Sequence, residues 1–97
     1  MERKAQLKPK HLAQKLRQIR DTLGLSQNEI IVQMGLTNEL TRSRISEYEA
    51  GYGPPLVVLL HYARLANIIV DVLIDDALEL PTKLPSRTRS VGQKRET

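Results

Sequence analysis

The sequence predicts an all-α fold, a compact five-helix domain, and three features lead there. The chain has no Phe, no Trp and three Tyr, so its core is Leu, Ile, Val and Ala, a set that suits close helix packing better than sheet sandwiches. Apolar residues recur at three- and four-residue spacing through its first part. Two Ser/Thr start signals are each followed by a glycine stop. With 97 residues and no Cys, this is one small domain without disulfides or thiolate metal ligands.

The first helix is predicted from Pro9 to Leu23. Leu12, Leu16, Ile19 and Leu23 form its apolar stripe, Lys10, Lys15 and Arg17 fall off it, and Gly24 is the stop. Pro9 suits a first turn. "LSQNEI" then carries a capping box: Ser26 is the N-cap, Glu29 answers it three residues on, and Leu25 can staple to Ile30. The second helix follows as 27–34, ended by Gly35. "GLTNEL" is a polar connector with room for one helical turn at 37–40.

"TRSRISEYEAG" repeats the start-and-stop grammar around an unusual helix, 42–50. Thr41 caps it, Leu40 and Ile45 staple it, and Gly51 closes it. Only Ile45, Tyr48 and part of Glu49 lie on an inward face, which leaves Arg42, Ser43, Ser46 and Glu47 facing outward. A fourth helix follows the turn "YGPP" as "LVVLLHYARLA", and "NIIVDVLIDDALEL" holds a short fifth helix at about 70–76. Residues 56–60 are apolar on all sides, as are Val70, Leu73 and Ile74. That excess predicts a self-association face on the fourth and fifth helices, the alternative being a thick core.

Three segments result: a flexible basic arm at 1–8, a folded body at 9–80 and a basic tail at 81–97. The tail has no periodicity and two prolines and is expected to be disordered. Charge follows the same division. Residues 1–20 carry seven Lys/Arg and one acid, 21–80 three Arg and nine acids, and 81–97 five Lys/Arg and one acid. Basic ends on an acidic body suit a polyanion met at one side, although charged ends also serve plain solubility. No apolar run approaches the roughly 20 residues of a membrane span, and the start lacks the apolar stretch of a signal peptide, so a cytoplasmic location is expected.

Over about residues 10–76 the chain resembles the Cro and lambda-repressor type of helix-turn-helix domain, the xenobiotic-response-element family. The resemblance rests on "IRDTLGLSQNEI", "ISEYEAG" and "LLHYARLANIIVDVLI" taken together. It implies a lambda-repressor-like fold in which the second helix crosses the DNA backbone and the third enters the major groove. Ile45 is then the buried anchor, Thr41, Arg42 and Ser43 hold the entry positions, and Glu47 reads one turn on. Arg42 would fork onto guanine and Glu47 accept from cytosine, with Ser43 between them; each good contact is worth roughly 1–3 kcal/mol of discrimination. The competing reading of Glu47 is an i, i+3 surface pair with Arg44.

The same resemblance places Gln27 and Asn28, at the start of the second helix, on a phosphate. Thr41, Arg44, Ser46 and Lys10 are further phosphate candidates. It also pairs Glu49 with Arg20 as a structural ion pair. Two features depart from the family: the stretch from Gly35 to Ile45 is longer than usual, and Asn67 and Ile69 stand where a glycine and a polar cap precede the fifth helix. Asn tolerates a left-handed bend, whereas Ile69 cannot cap and is free for a partner face.

Catalysis has no support. His11 and His61 show no metal-ligand spacing, and no phosphate loop or nucleophile turn is present, so neither an enzyme nor a cofactor is expected. The expected function is a sequence-specific regulator of transcription, acting as a repressor in the bacterial nucleoid. It would bind double-stranded DNA as a homodimer through the fourth and fifth helices. The alternatives are an antitoxin or adaptor that holds a protein partner on those helices, and a nonspecific nucleic-acid binder working through its charged ends.

Overall fold

A computed structural model describes residues 9–81, 83 and 84. Five helices make up its regular structure: α1 (Leu12–Leu23), α2 (Gln27–Met34), α3 (Arg42–Glu49), α4 (Leu56–Ala66) and α5 (Val70–Ile74). No strand occurs among the described residues. The arm at 1–8 and the tail from 85 onward lie outside the described residues.

Local start and stop chemistry sets α2 and α3. Glu29 N–H donates to Ser26 Oγ at 3.0 Å while Ser26 N–H donates to Glu29 Oε1 at 2.7 Å, a closed capping box. Thr41 Oγ1 accepts from Arg44 N–H at 3.4 Å. Gly24 and Gly35, at φ 70° and 72°, reverse the chain after α1 and α2 in the left-handed region that glycine enters freely. Asn67 makes the same reversal after α4 at φ 59°. Ile69, before α5, supplies no side-chain cap and is 65% exposed.

The core joins Leu16 and Ile19 of α1, Ile30 and Ile31 of α2, Ile45 of α3, Leu59 and Tyr62 of α4, and Leu73 of α5. Here α3 packs against α1 and α2, α4 against α1, α2 and α5, and α5 against α1. The connector between α2 and α3 is pinned at both ends. Leu40 N–H donates to Leu36 O at 2.9 Å, and both leucines pack on the core, leaving Thr37, Asn38 and Glu39 as an exposed turn.

Some boundaries and one residue differ from the sequence expectation. Helix α1 starts at Leu12 rather than Pro9, α3 ends at Glu49 rather than Ala50, and α5 ends at Ile74 rather than at 76. The late start of α1 has a distant cause. Asp76 accepts from Lys10 N–H at 3.0 and 2.9 Å and from His11 N–H at 3.1 Å, so the cap comes from the far end of the domain. These bonds, the one from Lys10 foremost, hold the Asp76 carboxyl below its ordinary pKa. Lys15, expected off the apolar stripe, is only 5% exposed. Its Nζ donates to the carbonyls of Val72, Asp75 and Leu78 at 2.7, 3.1 and 2.7 Å, and so ends α5.

Tyr62 is fully buried, and its hydroxyl has no hydrogen-bond partner among the described residues. Burial pushes its pKa up, and the Glu49 carboxylate adds to this. Removing an unsatisfied polar atom while keeping the ring should cost nothing. Tyr62→Phe is expected to leave stability unchanged or raise it by up to about 1 kcal/mol in urea unfolding. A loss above about 1 kcal/mol would mean that the hydroxyl is satisfied after all.

Candidate nucleic-acid interface

Eight residues make α3, and it spends two of them on the core. Ile45 is fully buried and Tyr48 nearly so, while Arg42, Ser43, Arg44, Ser46 and Glu47 are exposed, with Thr41 exposed just before them. A three- to four-residue helical period allows this division because positions 45, 48 and 49 share the inward direction, Glu49 meeting a polar partner there rather than the apolar core. The outward side chains offer a guanidinium fork, hydroxyls and a carboxylate, the groups that pair with base edges or phosphates.

Two of these groups are already engaged with each other. Arg44 donates to Glu47 Oε1 at 3.1 Å, with 62% and 47% of the two side chains exposed. Such a pair is worth a few tenths of a kcal/mol, little enough to break for a better partner. A phosphate for Arg44 and a base for Glu47 would each have to displace it.

Behind the exposed face sits a buried polar clamp. Arg20 of α1 forks onto Glu49 of α3, with Nε to Oε2 at 2.6 Å and Nη2 to Oε1 at 3.0 Å, and its Nη1 donates to Leu25 O at 3.0 Å. The side chains are 16% and 8% exposed. Burial pushes Glu49 toward a higher pKa, but the hydrogen bonds from Arg20 and Gln27 outweigh it and hold the carboxyl below its ordinary range. The hydrogen bond to Glu49 raises the guanidinium in turn. This clamp fixes α3 to α1 and so sets the angle at which the outward residues are presented.

At the start of α2, Gln27 is not aimed wholly at solvent. Its Nε2 donates to Glu49 Oε1 at 3.3 Å, a third member of the clamp that the sequence did not reveal, since the partner lies 22 residues away. Asn28 beside it is exposed. The capping box uses the N–H groups of Ser26 and Glu29, and the first intrahelical bond, from Ile30, runs to Ser26 O, leaving Gln27 and Asn28 with the outward N–H groups of that turn. Lys10 is exposed, but its backbone belongs to the Asp76 cap, on the side of α1 that meets α5.

A second feature borders on Lys10 and Asp76. A groove of about 630 Å³ runs between the start of α1, the loop after α3, and α4 and α5, walled by Leu12, Tyr48, Tyr52, Pro54, Leu56 and Ile74. Tyr52 is 66% exposed, Leu56 80% and Val57 63%. Among the described residues no group of three or more His, Cys, Asp or Glu is placed to hold a metal ion, and no helix is long and apolar enough to cross a membrane. Comparison with models of protein families, with curated proteins and with solved structures finds no match.

Proposed function

We propose that this protein is a sequence-specific DNA-binding regulator of the lambda-repressor-like helix-turn-helix type, with α3 as the reading helix. One observation carries the reading: α3 gives the core only Ile45 and Tyr48, is tied to α1 through Glu49, and turns Arg42, Ser43, Ser46 and Glu47 outward. A short, rigidly held helix with an unpartnered polar face is what groove recognition requires. In this reading Arg42 and Glu47 meet bases with Ser43, and Asn28, the N–H groups opening α2, Thr41 and Ser46 meet phosphates. Lys10 and Arg44 add charge there. Gln27 keeps one amide hydrogen for a phosphate while the other stays on Glu49.

A homodimer follows from the exposed Leu56 and Val57 of α4 and Ile74 of α5, and from the few bases that one short helix can read. Those same residues and the neighbouring groove favour the second reading, an adaptor or antitoxin that holds a protein there. Selection of bound sites from a random duplex library separates the two. The parent is expected to enrich a two-fold-symmetric motif, and the Arg42→Ala, Glu47→Ala variant to lose preference at the contacted positions, each contact worth roughly 1–3 kcal/mol. No enriched motif, or the same motif at the same strength in both proteins, moves the function to the adaptor.

A further inference from the structure

Where the start of α1, the loop after α3, the start of α4 and the end of α5 meet, the groove of about 630 Å³ has an apolar floor and an amphipathic rim. Leu12, Tyr48 and Leu59 are buried along its floor, and Tyr52, Leu56 and Ile74 stand exposed above them. A space of that volume falls in the range of sites that enclose a ligand, roughly 300–1,000 Å³. Large apolar side chains gathered around a concavity mark a contact surface.

The charge around this groove is mostly negative. From Leu56 to Leu84 the chain carries Asp71, Asp75, Asp76 and Glu79 against Arg64 and Lys83. Asp71 and Asp75 are exposed on either side of Ile74, one helical turn before it and one residue after. Arg64 lies about two turns along α4 from Leu56. Lys10 lines the groove, whereas Lys15 is buried with its ammonium on three backbone carbonyls. Asp76, also in the lining, accepts three hydrogen bonds from the N–H groups of Lys10 and His11, and a carboxylate has room for about one more.

We infer that the groove docks a basic amphipathic segment of a partner protein, with apolar side chains on the floor and Lys or Arg over Asp71, Asp75 and Asp76. The apolar walls supply affinity and the carboxylates select the partner. A polyanion or an acidic segment would meet those carboxylates as like charges. Tyr52 adds a ring along which the stem of a Lys or Arg can lie. This partner chemistry rests on the adaptor reading and does not depend on what α3 reads. Leu56 and Ile74 also belong to the proposed self-association face, so a docked segment and a second copy exclude each other.

The test titrates the isotope-labelled full chain with a peptide of about 14 residues, Leu at i, i+3, i+4 and i+7 and Lys elsewhere, and with its Leu/Glu counterpart. The Leu/Lys peptide is expected to shift the amides of Leu12, Tyr52, Leu56 and Ile74 and to bind at least about 10-fold more tightly than the Leu/Glu peptide. Leu56→Ser, at a side chain 80% exposed, should keep the fold by circular dichroism and weaken binding about 10-fold, the loss of one buried leucine. Asp71→Asn with Asp75→Asn should weaken it about fivefold and flatten its salt dependence, with Asp76 left in place as the cap of α1. Equal affinity for the two peptides overturns the inference and leaves an adaptor of other chemistry standing. Shifts spread over Glu29 and Glu39, or binding unchanged by Leu56→Ser, mean a general attraction to acids and overturn it too. Binding of neither peptide overturns both the inference and the adaptor reading at this groove. A dimer in sedimentation that Leu56→Ser dissociates and neither peptide does makes a second copy the occupant, which overturns the inference and supports the homodimer.

Discussion

Replacing Glu49 with alanine is expected to lower stability by about 3–5 kcal/mol, because it strands the Arg20 guanidinium in a place where only 16% of its side chain reaches solvent. For a domain of this size that is a fall in Tm of more than about 10 °C. The loss comes from desolvation more than from the missing attraction, and a second substitution tells the two apart. Arg20→Met in the Glu49→Leu background removes both charges and should recover a large part of the loss. Equal melts for Glu49→Ala and the parent, within about 0.5 kcal/mol, would mean that the pair is a surface contact.

The pair also fixes a pH dependence. Glu49 has its folded pKa below the unfolded value, so its contribution is full above the ordinary carboxylate range, near pH 4 to 5, and is lost as pH falls through the depressed folded value. Asp76 acts in the same direction. Acid unfolding curves of Glu49→Gln should be flatter than the parent's in that window.

The second large effect belongs to Lys15. Lys15→Met keeps most of the buried stem but removes the ammonium that donates to the carbonyls of Val72, Asp75 and Leu78. Uncapped carbonyls in a half-buried setting cost roughly 1–3 kcal/mol each at full exposure of the penalty, and water will relieve part of it, so a loss of about 3 kcal/mol is expected. It should be local before it is global. Hydrogen exchange should show α5 losing protection while α2 and α3 keep theirs. Uniform loss across all five helices would contradict this picture of Lys15 as the cap of α5.

What could be read in advance was what local chemistry decides. The limits of α2 and the start of α3 follow from Ser26, Glu29, Thr41 and Gly35, all within four residues of the groups they satisfy, so one short window of sequence contains both partners. The outward face of α3 was legible for the same reason, since periodicity alone sorts Ile45 and Tyr48 from Arg42, Ser43 and Glu47. The pairing of Arg20 with Glu49 came from resemblance to a family pattern and not from spacing. The start of α1 and the burial of Lys15 were out of reach, because their partners stand more than 50 residues away and a lysine between apolar positions looks solvated. In the candidate site, the missing piece was Gln27 turned onto Glu49, a contact between two helices whose relative placement no local signal records.

Asp76 at the head of α1 and Lys15 at the tail of α5 have a consequence for the order of assembly. Of the five described helices, the first to be synthesised is the one whose opening N–H groups wait for a carboxylate 65 residues downstream. Until Asp76 is synthesised, α1 has its apolar stripe but not its lid, and until α1 is in place α5 is too short to persist. Each end therefore certifies the other. A nascent or proteolysed chain that stops before Asp76 should behave as an open, protease-sensitive intermediate, and the five described helices close as a unit only when α5 and Asp76 arrive.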